Sequence, residues 1–230
     1  MSTALITGAS KGLGRAVCHA LAERGWSVIV DAREASALSS AVRGLPGVAA
    51  IPGDVTDPAH RAALAAAVGE HGRLDLLVSN ASTLGASPLP QLADYPLGEL
   101  RTVYETNVIA PLALFQLLAE PLTAAMGTVV NISSDAAVES YPGWSGYGSA
   151  KAALDQLTAV LAAEEPRLRC YAFDPGDMRT EMHQLAFPGE DISDRPEPAA
   201  VIPALLRLLE DRPPSGRYLA SDLLVPAVTR

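Results

Sequence analysis

A tyrosine and a lysine stand four positions apart in the stretch YGSAK, at Tyr147 and Lys151. On a helix, residues with this spacing share a face, so the phenol and the ammonium point in the same direction. A tyrosine ordinarily keeps its proton until the pH reaches about 10, and a nearby positive charge lowers that pKa. The pair is therefore a candidate proton donor and acceptor, although the same spacing also occurs on solvated helix faces without catalytic role.

A glycine-rich stretch, TGASKGLG at residues 7–14, follows the first apolar run and precedes a helical pattern. Glycines between a strand and a helix permit a tight turn and allow the backbone to approach a phosphate closely. The free N–H groups at the start of the following helix attract an anion. The stretch therefore predicts a nucleotide-binding loop, with a plain glycine-rich turn as the alternative.

Short segments rich in turn-forming residues follow the later apolar runs. They include Asp54 and Val55 in GDVTD, residues 79–82 in SNAS, Ser133 and Ser134 in ISSD, and Pro175 and Gly176 in DPGD. Each could be only a loop starter, because Asp, Asn, Ser, Pro and Gly all favour turns. Taken together, they predict a ligand site beyond the carboxyl ends of the strands.

The elements that position these residues alternate along the chain. Short apolar runs predict buried strands at 3–7, 27–30, 48–51, 74–79, 127–133 and 167–173. Helical patterns predict helices at 14–25, 35–43, 58–71, 99–119, 147–164 and 198–211. The alternation predicts an α/β fold, a doubly wound parallel β-sheet of Rossmann type with about seven strands and helices on both faces. We expect residues 1–230 to form a single domain, with an aperiodic substrate loop at about 177–197.

Composition and charge exclude several classes of function. Hydrophobic residues make up 49% of the chain, and the net charge is −9, which disfavours nucleic acid and anionic membranes as partners. No purely apolar stretch reaches the length of a membrane span, and the N-terminus lacks the pattern of a signal peptide. Cys18 and Cys170 are expected to be buried free thiols in a reducing, cytoplasmic compartment. The histidines lack metal-ligand spacing, so no metal is expected.

In order and spacing, the motifs resemble the short-chain dehydrogenase/reductase family over nearly the whole chain. The Thr-Gly-x-x-x-Gly-x-Gly motif of the family matches residues 7–14. Its Tyr-x-x-x-Lys motif matches Tyr147 and Lys151, and its catalytic Ser, thirteen residues before the Tyr, matches Ser134. Its active-site Asn matches Asn107 in YETNVIAP.

Three further motifs of the family are also present. The adenine-contacting Asp after strand three matches Asp54, and the Pro-Gly with a Thr four residues later matches Pro175, Gly176 and Thr180. The Asn-Asn-Ala-Gly motif matches only in part, because the chain has Ser-Asn-Ala-Ser at residues 79–82. This departure affects local packing and cofactor affinity and leaves the expected fold unchanged.

The resemblance implies a nicotinamide-dependent enzyme that interconverts a carbonyl and an alcohol on a small organic substrate. Tyr147 would donate a proton to the carbonyl oxygen, and Ser134 would hydrogen-bond the same oxygen as charge develops on it. Lys151 would lower the pKa of Tyr147 and hold the nicotinamide ribose. Asn107 would hold a water that relays protons to Lys151.

The resemblance also implies cofactor contacts and an assembly. Contacts are expected from Thr7, Gly8, Ser10, Lys11, Gly12, Leu13, Gly14, Arg33, Asp54, Val55, Asn80, Ala81, Tyr147, Lys151, Pro175, Gly176, Met178 and Thr180. Family members are commonly dimers or tetramers through the helices near 99–119 and 147–164, so a homodimer or homotetramer is expected. Candidate residues for the substrate pocket are Met178, Met182, His183 and Phe187, with a mobile loop as the alternative. Tyr141 and Trp144 would line the other wall of the pocket or pack beneath it.

The choice of dinucleotide depends on the end of strand two, in VIVDAREAS. An acid there binds the ribose 2′-OH of NAD, which makes Asp31 a candidate, whereas an Arg accepts the 2′-phosphate of NADP. The spacing of the family instead puts the discriminating positions at Ala32 and Arg33, and neighbouring strand residues face opposite ways. Lys11 is a second cation typical of NADP-preferring members. We therefore expect NADP(H), with NAD(H) possible.

Two other classes of protein compete with this interpretation. A catalytically inactive dinucleotide-binding sensor or scaffold would lack the Tyr, Lys or Ser, whereas Ser134, Tyr147 and Lys151 are all present. A nucleotide-dependent methyltransferase also uses a glycine-rich first loop, but the same three residues speak against it. The sequence leaves the identity of the substrate open.

Overall fold

A computed structural model describes residues 1–224, so the last six residues of the expected 1–230 domain lie outside the described part. A parallel sheet of seven strands has the spatial order β3-β2-β1-β4-β5-β6-β7. The strands are β1 (Thr3–Ile6), β2 (Ser27–Ala32), β3 (Val48–Pro52), β4 (Leu76–Ser79), β5 (Thr128–Ile132), β6 (Arg169–Asp174) and β7 (Gly216–Leu219). The expectation of a doubly wound parallel sheet with about seven strands is confirmed.

Helices cover both faces of the sheet. They are α1 (Gly12–Glu23), α2 (Ala35–Ala41), α3 (Pro58–His71), α4 (Leu97–Tyr104), α5 (Ala110–Ala124), α6 (Ser145–Glu164), α7 (Glu181–Ala186), α8 (Ile202–Asp211) and α9 (Ala220–Leu224). Ile6 and Val30 face the core built with α1, α2 and α8. Leu5 and Ile29 face the other core, built with α3 and α5. Alternate residues of one strand thus serve two cores, which explains why the central strands are apolar throughout.

Two elements differ from the expected pattern. The helix predicted at 99–119 starts earlier, as α4, and a π-helical turn at Glu105–Ile109 joins it to α5. The segment at about 177–197, predicted to lack regular structure, contains the short helix α7. Thr180 caps this helix by accepting a hydrogen bond from the His183 N–H at 3.1 Å, as N-cap threonines do.

The continuous helical segment Leu97–Ala124 is long and apolar enough to cross a membrane by length and composition, with a mean hydropathy of 1.3 and 33% of its most apolar window buried. This segment packs against α3 and α6 within the fold. It also carries Asn107 into the interior of the protein. These contacts are those of a core helix of an α/β protein.

The strand order reverses beside β1. The chain runs from β1 outward to β2 and β3, and then crosses back to form β4 on the other side of β1. Ligands of doubly wound sheets bind at this switch point, beyond the carboxyl ends of the strands. The segments after β1 and β4 therefore mark the place where the site residues should meet.

Candidate active site

The loops that follow β1 and β4 are fastened to each other. The Thr7 hydroxyl oxygen accepts hydrogen bonds from the backbone N–H groups of Asn80 and Ala81, both at 3.0 Å. The Asn80 amide nitrogen donates to the carbonyls of Thr7 at 2.8 Å and Gly8 at 3.0 Å. Thr7 is buried, so it supports the loop from below and does not line the cavity above it.

Two positions of this loop require glycine, because neighbouring backbone and side-chain atoms leave no room for a Cβ atom. A Cβ atom on Gly8, whose φ is +70°, would lie 2.8 Å from the Ala81 Cα. A Cβ atom on Gly14 would lie 2.5 Å from the Asn80 amide nitrogen and 2.6 Å from the Gly8 carbonyl oxygen. The bare backbone at the start of α1 is thus held in the form of a phosphate-binding turn. The residues present therefore fit a dinucleotide cofactor.

Asp31, the acidic residue near the end of β2, is fully buried. One carboxylate oxygen accepts a hydrogen bond from the Gly8 N–H at 2.7 Å, and the other lies 3.0 Å from His60 Nε2. Burial raises the pKa of Asp31, against the lowering effect of the hydrogen bonds from His60 and Gly8. Both oxygens are engaged inside the protein, so Asp31 braces the glycine loop.

Arg33 and Asp54 line the cavity beyond the ends of β2 and β3. Burial opposes ionisation of Asp54, but hydrogen bonds from the Thr56 N–H at 2.9 Å and hydroxyl at 2.8 Å, with the charge of Arg33, outweigh it and lower the pKa of Asp54. The Arg33 side chain is exposed. This end of the cavity therefore presents a cation and a carboxylate to a ligand.

Tyr147 and Lys151 lie on the same face of α6, and both are buried, with 8% and 2% of their surfaces exposed. The Lys151 ammonium donates to the Ile132 carbonyl at 2.7 Å. Burial lowers the pKa of Lys151 to about 8, although the charges of Asp155 and Asp174 favour the ammonium.

Burial raises the pKa of Tyr147, and the nearby Ser134 and Ser82 hydroxyls lower it by less. The resemblance implied that Lys151 lowers this pKa. The net pKa shift in the protein is upward, because loss of hydration disfavours the phenolate more than neighbouring groups stabilise it, and the lowering effect of Lys151 stays a prediction. Tyr147 is therefore a phenol that keeps its proton.

Ser134 follows β5 and faces the Tyr147 phenol. Its hydroxyl donates to the Asp135 carboxylate at 2.9 Å and accepts from the Ala136 N–H at 3.2 Å. The same hydroxyl lies near enough to the Tyr147 phenol to lower its pKa. Ser134 and Tyr147 therefore place two hydroxyl groups side by side at the wall of the cavity.

Asn107 lies in the π-helical turn and is 1% exposed. Its side-chain oxygen accepts from the Thr83 N–H at 2.9 Å and the Ser82 hydroxyl at 3.2 Å, while its nitrogen donates to the Thr83 carbonyl at 2.9 Å. Three of the four hydrogen-bonding positions of the amide are thus used to hold the loop after β4. The side chain holds that loop in place, and the expected water-holding role of Asn107 stays a prediction.

Arg217 on β7 was not found from the sequence. Its guanidinium donates to the Asp174 carboxylate at 2.6 Å, to the Ser134 carbonyl at 3.0 Å and to the Asp155 carboxylate at 3.2 Å. Asp155 also accepts from the Ser133 hydroxyl at 2.8 Å. One cation thus joins the turn that carries Ser134 to α6 and to the end of β6.

The turn after β6 is held by the same network. Asp174 accepts from the Gly176 N–H at 2.9 Å, and Gly176 has a φ of +72°, which favours glycine. Met178 packs against the core that includes α1 and α8. The Thr180 methyl group lies 3.7 Å from the position that a Cβ on Gly12 would take. The Pro-Gly turn and the glycine loop therefore meet across the cavity.

Apolar and aromatic side chains surround the tyrosine. The Trp144 ring lies edge-on to the Tyr147 ring at 5.8 Å between centres and 5.9 Å from the Phe187 ring. Leu84 and Met182 pack in the same cluster. This cluster forms one wall of a cavity of about 1120 Å³ that continues to the glycine loop. The volume accommodates a dinucleotide and a small substrate together.

The structure brings most of the expected residues to this cavity. Of the expected catalytic residues, Ser134, Tyr147 and Lys151 line it, and Asn107 lies behind it. Of the expected cofactor contacts, Thr7 and Gly14 support the loop, and the others that line the cavity are Gly8, Ser10, Lys11, Gly12, Leu13, Arg33, Asp54, Val55, Asn80, Ala81, Pro175, Gly176, Met178 and Thr180. Among residues 1–224 no cluster of three potential metal ligands occurs.

Asp155 and Arg217 were both missed as site residues, and the sequence offers a signal for only one of them. Asp155 follows Tyr147 and Lys151 at the same spacing of four, so the helical stripe indicates it. The partners of Arg217 lie 43, 62 and 83 positions away, which no local pattern reveals.

Known proteins share the sequence and the fold. The sequence model of the family described as short chain dehydrogenase matches residues 2–191. L-xylulose reductase from Bos taurus is 33% identical over 231 residues, which cover 98% of this chain and 86% of that protein. D-erythrulose reductase from Gallus gallus is 32% identical over 229 residues, which cover 98% and 85%.

A solved structure from Shigella flexneri, described as a short-chain dehydrogenase complexed with NADP, has a TM-score of 0.87 at 28% identity. The alignment covers 96% of this chain and 97% of that one. Residues 2–191, which the family model matches, contain the glycine loop, the Tyr147–Lys151 pair and the Pro-Gly turn. The chain therefore belongs to the short-chain dehydrogenase/reductase family of oxidoreductases, which act on alcohol and carbonyl groups.

Proposed function

We propose that this protein is an NADP(H)-dependent reductase that interconverts a carbonyl and an alcohol on a small organic substrate, with Tyr147, Ser134 and Lys151 as its catalytic residues. The observation that carries the proposal is the meeting of two hydroxyls, those of Tyr147 and Ser134, at one end of a cavity whose other end is the glycine loop. Relatives named for the reduction of L-xylulose and D-erythrulose support a small carbonyl substrate.

The cofactor, when bound, supplies the hydride. The Ser134 hydroxyl binds the substrate oxygen, and the Tyr147 hydroxyl donates its proton to that oxygen as charge develops there. Burial keeps Tyr147 protonated, which suits a donor. The Lys151 ammonium, fixed on the Ile132 carbonyl, adds a positive charge beside the phenol and orients the cofactor ribose.

The remaining residues of the site position these groups. The network of Arg217 holds the Ser134 turn, and the amide of Asn107 holds the loop after β4. Trp144 and the apolar wall exclude water from the reacting centre. The proposed reaction thus rests on fixed hydroxyls in a partly dry pocket, where electrostatic interactions are stronger than in water.

Three observations support NADP(H) over NAD(H). Asp31, the acid within β2, is buried, and its oxygens are occupied by Gly8 and His60, so it is unsuited to a ribose hydroxyl. Ala32 offers no charge against a phosphate, and Arg33 is exposed at the cavity. Lys11, the second expected cation, lies on the glycine loop and is paired with Glu181, so it would have to exchange this partner for a phosphate.

A homodimer or homotetramer through α5 and α6 also remains part of the proposal. Exposed apolar side chains lie on these helices, at Ile109 beside α5, at Leu112 and Leu117 on α5, and at Val160 on α6. Burial of such a surface favours association. Light scattering on the purified protein measures the molar mass, and a monomer at micromolar concentration contradicts this part.

A carbonyl panel tests the proposed function directly. NADPH consumption is followed with aldehydes and ketones of increasing size, and NADH replaces NADPH in parallel. Carbonyl-dependent oxidation of NADPH is the expected result. Tight cofactor binding without turnover of any compound would instead favour the catalytically inactive sensor.

A further inference from the structure

Asp135 follows the proposed substrate-binding Ser134, and no step of the proposed reaction uses its carboxylate. One Asp135 carboxylate oxygen accepts from the Ser134 hydroxyl at 2.9 Å and from the Ala136 N–H at 2.8 Å. The other accepts from the Tyr141 hydroxyl at 3.0 Å. Asp135 is exposed and lines the cavity. A carboxylate therefore stands directly beside the hydroxyl that binds the reacting oxygen.

Within residues 1–224, the charge of Asp135 has no counter-ion. Among residues 1–224 no lysine, arginine or histidine forms an ion pair with it. Its partners are neutral hydroxyl and N–H groups, which fix its position without cancelling its charge. One oxygen still has a free lone pair, since it accepts only the Tyr141 hydroxyl.

Cations elsewhere on this side of the cavity already have carboxylate partners. Arg179 is paired with Glu197, and Lys11 is paired with Glu181. Arg195 lies 3.4 Å from the Asp177 carboxylate, which also faces His183 at 3.7 Å. A negatively charged substrate group would therefore meet Asp135 without finding an unpaired arginine or lysine among these residues.

We propose that Asp135 is a specificity-determining residue that rejects carbonyl compounds with a carboxylate beside the carbonyl. The inference rests on the proposed function, because it takes the Ser134 hydroxyl as the point where the carbonyl oxygen binds. A carboxylate on the neighbouring carbon would then lie within a few ångströms of Asp135. Water partly screens the exposed Asp135, but like charges at that distance still repel, and such repulsion is a common source of specificity.

The substrates that the site accepts should also share a second feature, an apolar substituent on the carbonyl carbon. Leu84, Trp144 and Met182 form the wall of the cavity opposite the glycine loop, next to Tyr147. A ring or branched alkyl group fits against these side chains, whereas an anion gains nothing there. An aromatic ketone in which only the charge is varied is therefore the appropriate probe.

Benzoylformate and its methyl ester make such a pair, because they share the ketone and the ring and differ by one negative charge. The ratio of kcat/KM for ester over acid is measured with NADPH in the wild type, in Asp135→Asn and in Glu139→Gln. Glu139→Gln is the matched control, because it removes one exposed charge from the same loop outside the cavity. We expect a wild-type ratio of at least about tenfold, which Asp135→Asn reduces at least about fivefold and Glu139→Gln leaves unchanged.

Equal kcat/KM for acid and ester in the wild type, or an unchanged ratio in Asp135→Asn, overturns the inference. Dissociation constants of both compounds from the NADPH complex give the same ratio without turnover. If no carbonyl compound is reduced, the proposed function fails, while these constants still decide whether Asp135 discriminates against the charge.

Discussion

The Lys151 ammonium lies 5.4 Å from the centre of the Tyr147 ring and is bonded to the carbonyl of Ile132, not to the phenol. Burial moves the two pKa values in opposite directions, upward for Tyr147 and downward to about 8 for Lys151. As the pH rises, Lys151 therefore loses its proton before Tyr147 does. We therefore expect Lys151, and not Tyr147, to set the upper pH limit of activity.

The first prediction concerns this alkaline limit. The Lys151 ammonium is present below pH 8 and is lost as the pH rises through its pKa of about 8. We expect kcat/KM for NADPH, which reports groups of the ligand-free enzyme, to fall over the same interval. Lys151→Arg keeps its charge throughout this range and should lack the decline, whatever its absolute activity. The same alkaline decline in Lys151→Arg would assign it to another group.

The second prediction concerns the preference for NADP(H). Arg33→Ala removes the exposed cation at the end of β2, so the dissociation constant of NADPH should rise about tenfold or more, the scale of a charged hydrogen bond. The dissociation constant of NADH should change little, because NADH carries no 2′-phosphate. Arg43→Ala, an exposed arginine outside the cavity, is the control. Tighter wild-type binding of NADH than NADPH contradicts the assignment.

The third prediction concerns Arg217. Arg217→Leu leaves the carboxylates of Asp155 and Asp174 without their cation, so we expect a loss of about 3 kcal/mol in the free energy of unfolding. The Ser134 turn also loses its guanidinium contact, so kcat should fall in the folded variant, with partial recovery in Arg217→Lys.

Arg212→Leu is the matched control for Arg217. The Arg212 guanidinium donates to the Thr128 hydroxyl at 3.1 Å and the Met126 carbonyl at 2.8 Å, at the opposite end of β5 from Ser134. Urea unfolding and turnover are measured together for both variants. A wild-type kcat in Arg217→Leu would show that the network serves stability alone.

Much of the fold is predictable from local pattern, because each central strand is buried on both faces and reads as an apolar run. The position of β7 was not predicted, because its sequence GRYL lies at the edge of the sheet, is only partly buried and is not an apolar run. The glycine loop and the Tyr147–Lys151 pair were recognised because their chemistry depends on short-range spacing. The orientation of Asp31 was not predictable, because it is set by contacts with Gly8 and His60, 23 and 29 positions away.

The fourth prediction concerns the segment at about 177–197, which contains α7. Its two ends are tied by the Arg179–Glu197 ion pair and by the Arg179 N–H, which donates to the Pro196 carbonyl at 2.8 Å. Because α7 covers the cavity beside Trp144, we expect slower amide hydrogen exchange in Glu181–Ala186 when cofactor and substrate are bound. Equal protection with and without ligands contradicts a lid that closes on the substrate.

The central claim is that the Tyr147 hydroxyl is the proton donor in carbonyl reduction, and Tyr147→Phe tests it most directly. The substitution keeps the ring against Trp144 and removes only the hydroxyl. Tyr218→Phe is the control, because its hydroxyl donates to the Pro214 carbonyl outside the cavity. With the best substrate of the carbonyl panel, we expect kcat of Tyr147→Phe to fall at least about a hundredfold while NADPH still binds. Turnover near the wild-type rate in Tyr147→Phe would contradict the assignment.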